Sequence, residues 1–421
     1  MFKLIEKLYP ICRSITGDGN RKTLRHVQEI IPLKIHEVPS GTSVYDWTVP
    51  KEWNIRDAYI KDKSGVRIVD FKKSNLHVVN YSVPVHTTLP LEELKKNIFT
   101  IPDKPDWIPY RTSYYHETWG FCLSHKQFEE LEDGEYEVFI DSTLDNGYLT
   151  YGEYTIQGQT QDEVLFSVHI CHPSLCNDNL SGIGMATYLA KHLSLQKQLR
   201  YSYRFLFIPG TIGSIVWLHQ NESHVHRIKH GLVITLVGDS GRMTYKKSRQ
   251  ATAEIDRAVV QVLKDSKKPY DVIDFFPYGY DERQYCSPGF NLPVGCLMRT
   301  PHGKYPEYHT SADNVIFIKA DKLSDSFKKY NSVIDILESN HRYKNKNPKC
   351  EPQLGKRGLY KKIGGRNDKD TVQMALLWVL NLSDSNNDLL SIAERSGLPF
   401  DQIAEAAMIL REYDLLEKVY G

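Results

Sequence analysis

The chain predicts an α/β protein on a mainly parallel-centred mixed sheet, with a β-rich segment inserted into it and a helical module at its C-terminal end. Three observations carry this. From residue 161 to about 340, apolar strands at 164–168, 203–208 and 232–237 alternate with helical patterns, as in a sheet covered on both faces. From 43 to about 152 the chain is rich in Tyr, Trp, Val and Thr, with alternating runs at 76–83 and 135–140 that read as short antiparallel strands. Beyond a basic, glycine-bearing stretch at 343–366, read as a linker, three helical patterns at 372–380, 388–396 and 400–413 outline a winged helix-turn-helix, with Gly397 and Leu398 at its turn.

The expected division is an α/β domain of residues 1–42 and 153–345, an inserted β-rich domain of 43–152, and a winged helix-turn-helix-like domain of 355–421. Helical patterns at 2–8 and 23–31 would pack on the α/β sheet.

Composition narrows the partners. The 53 Lys and Arg residues nearly balance 52 Asp and Glu, so no global field attracts nucleic acid or an anionic membrane. The seven cysteines are odd in number and form no CxxC unit, which reads as reduced thiols in a cytoplasmic protein. No apolar run reaches the roughly 18 residues of a membrane span. DNA binding by the C-terminal module is disfavoured by charge. From Thr371 onward eight acidic residues face three basic ones, a net of −5, and the would-be recognition helix carries Asp401 and Glu405. Packing or homo-oligomer formation is the alternative use of that module.

The chemistry concentrates where apolar runs end. Val164, Leu165, Phe166 and Val168 lead to His169. Nine residues on, Asp178 precedes a helical pattern of Leu180, Ile183, Thr187 and Ala190. Both would flank a crevice at the carboxyl end of a parallel strand, where open α/β sheets place ligands. Two further apolar or aromatic stretches end in Asp239 and His309. Two imidazoles and two carboxylates can hold a zinc ion that polarises a carbonyl.

The order His169, Asp178-x-x-Ser181-Gly182, Asp239, then His309-Thr310-x-x-Asp313 resembles the zinc-dependent aminopeptidases with co-catalytic metals. Longer phrases sharpen this: His169-Ile-Cys-His-Pro-Ser, Asn177-Asp-Asn-Leu-Ser-Gly, Tyr280-Asp-Glu-Arg-Gln-Tyr-Cys-Ser-Pro-Gly and Tyr308-His-Thr-Ser-Ala-Asp-Asn. Through them nearly the whole chain is similar to bacterial aminopeptidase-like proteins associated with polysaccharide-biosynthesis clusters, which join that peptidase fold to an inserted β domain and a C-terminal winged helix. The resemblance implies zinc, with one ion expected and two open. It implies His169 and Asp239 on one metal, Asp178 as bridge and His309 on the other.

Two departures follow from it. The family's Glu-Glu pair, a general base and a metal ligand, aligns with Gly210 and Thr211, and the aspartate that orients the first histidine is Cys171. Glycine accepts no proton and threonine is a poor substitute for a carboxylate on zinc. Restoring the carboxylate by Gly210→Glu is therefore expected to raise activity. His172 could be a ligand or proton carrier, or only shape the His-Pro turn. Glu282 and Glu307 are candidate bases, or surface carboxylates paired with Arg283 or Lys304. Cys171 and Cys176 could bind metal or be buried small apolar groups. Asp239 could instead cap a turn. Arg111 and Tyr114, in an aromatic cluster of the inserted segment, could wall the crevice and bind a substrate carboxylate, or belong to that segment's core. The function this supports is a metal-dependent aminopeptidase-like hydrolase acting on a small peptide or amide with a free amine. The alternative is a catalytically impaired metal- or ligand-binding protein of the same fold.

Overall fold

The computed structural model describes residues 1–359 and 368–419. The chain divides into two compact units, Met1–Ala251 with Asp271–Phe327, and Thr252–Tyr270 with the chain from Lys328 onward. No helix among the described residues is long and apolar enough to cross a membrane.

An eight-stranded sheet organises the first unit. Its spatial order is Lys34–Pro39, Tyr148–Ile156, Ser202–Ile208, Glu163–His169, Ile228–Ile234, Val294–Met298, Met243–Lys246, Tyr270–Ile273. The four strands from Ser202–Ile208 to Val294–Met298 are mutually parallel, and antiparallel neighbours flank them. Every residue of the Glu163–His169 strand is buried, which explains its unbroken apolar run. Phe166 and Phe205 stack across neighbouring strands with centroids 5.1 Å apart.

A second, four-stranded antiparallel sheet is formed by Arg67–Asp70, Glu52–Lys61, Glu135–Asp145 and Val85–Pro90. It has its own core, including Ala58, Ile60, Val138, Ile140 and Phe121. The run at 76–83, expected as a strand, is instead a short 3-10 turn at Asn75–His77 followed by isolated bridges at Val78 and Asn80. Its polar side chains bond backbone carbonyls: Asn80 Nδ2 donates to that of the distant Arg13 and Ser82 Oγ to that of Val79 three residues back.

The N-terminal helices are Phe2–Leu8 and Asp18–Gln28, the second starting five residues before the expected 23–31. In the second unit the helices Asp368–Leu382, Leu389–Ser396 and Phe400–Glu412 accompany a three-stranded sheet ordered Asp384–Asp388, Arg342–Asn345, Leu416–Val419. The linker reading of 343–366 is thus corrected at its start. Residues 343–345 lie in the central strand of that sheet, where Tyr343 and Asn345 are buried, and 360–366 lie outside the described residues.

Site-bearing loops leave the carboxyl ends of the four parallel strands: 170–180 after His169, 209–211 after Ile208, 235–241 after Ile234 and 299–313 after Met298. One clamp ties two segments beside them. Ser214 Oγ, in the Ile212–Asn221 helix, donates to Asp281 Oδ1 at 2.9 Å. Asp281 is fully buried, and its Oδ2 has no hydrogen-bond partner among the described residues. Burial pushes this carboxyl up to about 8 from 3.8.

The folded chain therefore binds a proton that the unfolded chain releases across that interval. The stability this group contributes is full below its ordinary value and is lost as pH rises toward about 8. Asp281→Asn should flatten the fall of unfolding free energy between pH 5.5 and 8.5 and stabilise the protein at the upper end. Denaturant titrations of both proteins at each pH check it, and parallel pH profiles would contradict it.

Candidate metal centre

His169 ends its strand with a wholly buried imidazole, and Asp178, also wholly buried, lies in the turn that precedes the Ser181–Ser194 helix. The two meet at 2.8 Å between His169 Nε2 and Asp178 Oδ1. His309 Nε2 reaches Asp178 Oδ2 at 3.0 Å, and His172 Nε2 lies 3.9 Å from the same oxygen. One carboxylate is thus surrounded by three imidazoles. His309 has a third of its side chain exposed, whereas His169 has none and His172 only 6%, so His309 is the solvent side of the cluster.

The loops are stitched to hold this arrangement. Asp313, fully buried, accepts hydrogen bonds from the backbone N–H of Asn177 at 2.6 Å and of Asp178 at 3.0 Å. That carboxyl group, which burial pushes up to about 8, binds the His309 loop to the Asp178 turn. Asn179 Nδ2 lies 3.2 Å from His169 Nδ1 and donates to the carbonyl of Ile234, bracing the ring on the side away from Asp178.

Burial holds His169 below imidazole's ordinary value and His172 well below it. Burial also opposes an ionised Asp178. The neighbouring His172 and the hydrogen bonds with His169 and His309 outweigh it and hold the carboxyl well below its ordinary range. Neutral imidazoles beside an ionised carboxylate are the protonation states a metal requires.

The donor set suits zinc in type and spacing. Ligand atoms of His169, His172 and Asp178 lie within 4.8 Å of one another. Atoms about 2.0–2.2 Å from a tetrahedral zinc stand roughly 3.4 Å apart, and the separations of 2.8 Å from His169 and 3.9 Å from His172 to Asp178 bracket that value.

Asp239 stands outside this group. Its Oδ1 accepts from the backbone of Gly241 and the hydroxyl of Thr300, and its Oδ2 from the Asn177 amide and the backbone of Thr300. Glu282 is paired with neither Arg283 nor Lys304. Only 1% exposed, it meets Lys246 Nζ at 2.7 Å and accepts the backbone N–H of Tyr280. Glu307 takes part through its backbone carbonyl, which accepts from Thr310. Cys171 and Cys176 are buried, and burial pushes the Cys171 thiol up to about 12.

In the inserted segment, Ile108, Pro109 and Tyr110 run alongside His309, Thr310 and Ser311, with Tyr110 N–H donating to the carbonyl of His309 at 2.8 Å. The Tyr110 ring stands edge-on to both His172 and His309, and its hydroxyl meets that of Tyr114 at 2.8 Å. Arg111 is exposed, with its guanidinium 5.9 Å from the Phe99 ring. Tyr114 is thus joined to the cluster through Tyr110, and Arg111 is not joined to it.

Sequence reasoning passed over Tyr280 and His302. Tyr280 stacks on His169 with centroids 3.7 Å apart, its hydroxyl lies 3.2 Å from Cys171 Sγ, and the His302 ring lies on it at 5.8 Å and 11°. A side chain at position 210 would begin inside the Tyr280 ring. The space expected for a restored carboxylate is therefore occupied. Glycine at 210 was a readable signal of close approach, but nothing local says what approaches.

Residues 2–340 match a family described as a domain of unknown function, DUF4910, and residues 341–418 match a winged helix-turn-helix. A Clostridium acetobutylicum protein, provisionally named a polysaccharide biosynthesis protein with an aminopeptidase-like domain, is 55% identical over 419 residues, covering 100% of this chain and 96% of that protein. A crystal structure from the same organism, of a protein provisionally described as a peptidase, is 54% identical with a TM-score of 0.95, covering 99% and 96% of the two chains. A zinc aminopeptidase of Bacillus subtilis shares the fold at 12% identity and a TM-score of 0.58, over 80% of this chain and 93% of its own. An α/β fold of zinc-aminopeptidase type followed by a winged helix, a site cluster at the carboxyl ends of its parallel strands and these matches agree: the chain belongs to the DUF4910 family of aminopeptidase-like proteins.

Proposed function

We propose that the protein is a metal-dependent, aminopeptidase-like hydrolase acting on a small peptide or amide with a free amine, in the polysaccharide-biosynthetic setting that its relative's name indicates. One ion, zinc by preference, would be held by His169, His172 and Asp178. The observation that carries this reading is the convergence of those three buried donors at the carboxyl end of a parallel strand. When bound, zinc supplies Lewis-acid polarisation of a carbonyl oxygen. A single ion is favoured because Asp178 is the one carboxylate of the cluster: position 211 is a threonine, and both oxygens of Asp239 are already hydrogen-bonded.

The remaining chemistry falls to the chain's own groups. An ionised carboxylate only accepts hydrogen bonds, so the partner of Asp178 Oδ2 is the N–H of His309 at Nε2, and Nδ1 is left as its basic nitrogen. As the imidazole of the cluster that reaches solvent, His309 is assigned the proton transfer that a glutamate at 210 would perform. Tyr110, edge-on to His172 and His309, would wall the substrate amide from water. Glu282 is assigned to holding Tyr280 through its backbone rather than to acting as base.

A second reading, a ligand-binding protein that does not hydrolyse, is favoured by one observation: Asp178 is already satisfied by His169 and His309, and the place of the general base is filled by an aromatic ring.

Metal content tests the metal site, and hydrolysis rates then separate the two readings. Protein purified without chelator or added metal should carry about one equivalent of zinc or a similar divalent ion, and Asp178→Ala or His172→Ala should lose it. Less than about a tenth of an equivalent, with none gained on titration, sinks the metal reading.

Rates on aminoacyl anilides at saturating zinc give a further outcome. Without a positioned carboxylate the wild type should run about 10²–10⁴-fold below zinc aminopeptidases that keep one. Gly210→Glu should lower thermal stability and metal content rather than restore the rate, since the new side chain meets Tyr280. A gain in rate by that variant would show that Tyr280 yields.

A further inference from the structure

Tyr280 is held more firmly than a residue merely filling space. Its backbone N–H donates to both oxygens of Glu282, at 3.1 Å each, and Glu282 is pinned by Lys246 at 2.7 Å in a pair that is 1% and 2% exposed. Lys246 Nζ also donates to the carbonyl of Tyr278 at 2.7 Å. Gly279 between them has φ +155°, and a Cβ there would collide with Glu282 and Lys246. The turn admits only glycine at 279, and it delivers the ring of residue 280 to one place.

That place is the face of His169. The imidazole lies between Tyr280, at 3.7 Å and 27°, and its hydrogen bond to Asp178. The His302 ring also stacks with Tyr280, at 5.8 Å and 11°, and its Nε2 is buried without a hydrogen-bond partner among the described residues. The Tyr280 hydroxyl meets Cys171 Sγ at 3.2 Å, and that sulfur also reaches the carbonyl of Gly210 at 3.7 Å. Ring, thiol and glycine therefore interlock: the ring needs position 210 to lack a side chain, and the hydroxyl needs a soft, neutral partner at 171.

The geometry points to Tyr280 as the positioning residue of the site, setting the plane of the His169 imidazole toward Asp178 by stacking, with Gly210 and Cys171 as the two residues that make room for it and orient it. It replaces by aromatic packing the support that charged groups would give a metal-binding histidine. Outer residues that orient ligands typically change metal affinity by about 10–100-fold when removed. The role in metal binding rests on the proposed function; the role in holding His169 against Asp178 does not.

The test uses the full chain with Tyr280→Phe, Tyr280→Leu, Gly210→Ala and the double variant Gly210→Ala/Tyr280→Leu. Two readouts are taken: Co(II) affinity and spectrum by titration, and the imidazole N–H resonance of His169 in ¹⁵N-histidine-labelled protein without metal. Tyr280→Phe, which keeps the ring, should stay within about threefold in Co(II) affinity, while Tyr280→Leu should lose about 10–100-fold and change the Co(II) spectrum. In metal-free protein the exchange-protected His169 N–H should persist in Tyr280→Phe and vanish in Tyr280→Leu. Gly210→Ala should melt lower than wild type, and adding Tyr280→Leu should restore part of the loss, because the colliding ring is gone. If no variant or wild type takes up Co(II), the metal reading fails and the N–H resonance alone decides the positioning role. A protected His169 N–H in Tyr280→Leu, or strictly additive melting changes, overturns the inference.

Discussion

A carboxylate with no access to water is the constraint around which the site is built. Removing an ionised Asp178 from solvent costs several kcal/mol even after relaxation, so its oxygens must be met on every side. His169 and His309 meet them directly. The backbone beneath cannot drift, because Asp313 grips the N–H groups of Asn177 and Asp178. Asn177 in turn accepts from Gly238 and donates to Asp239, and Asp239 is bound by Thr300. Three strand ends, those of Glu163–His169, Ile228–Ile234 and Val294–Met298, are thereby joined through one polar network, and losing one partner of such a buried charge typically costs about 3–5 kcal/mol. Asp239, which sequence reasoning placed on the metal, is hydrogen-bonded within this network through both oxygens.

Negative charge has been moved outward from the cluster. Positions 210 and 211 are a glycine and a threonine, yet carboxylates are abundant one layer away. Glu282 is neutralised by Lys246, and Asp281 is kept protonated at neutral pH by burial. Both lie in the 279–285 turn that presents Tyr280. Positions 210 and 280 cannot both carry bulk in the same volume, so the ring at 280 requires a glycine at 210.

Much of the architecture was legible because burial on both faces writes itself into sequence: the strands Glu163–His169 and Ser202–Ile208 are nearly continuous apolar runs. The His169, Asp178 and His309 cluster was legible because strand ends followed by polar residues are places where loops converge. What sequence could not show were relations across distance. The run at 76–83 has the alternation of a strand but spends polar side chains on carbonyls, one of them that of Arg13, 67 residues away. Residues 343–345 look like a linker because their partners, Asp384–Asp388 and Leu416–Val419, lie some 40 and 70 residues away. Glu282 looks like a surface acid until Lys246, 36 residues distant, is seen beside it. Arg111 had the right chemistry for a substrate carboxylate, but its side chain lies over Phe99.

The C-terminal unit shows the same principle applied to an interaction surface. A helix-turn-helix reads DNA with the N-terminal residues of its second helix, whose free N–H groups and positive dipole end also suit phosphate. Here the corresponding helix is Phe400–Glu412, and its first N–H is taken by Asp265 Oδ2 at 3.0 Å. Asp265 comes from the Glu254–Asp265 helix, which belongs to the same compact unit. Arg257 of that helix is bound to Glu394 at 2.7 Å and to Asp388 at 3.4 Å, so one of the unit's cations is already committed to its own carboxylates. A carboxylate at the helix start competes with phosphate for the same N–H groups, and the surrounding net charge of −5 repels it further. The winged fold is retained while its reading end is bound internally, which favours a packing role for this unit over nucleic-acid recognition.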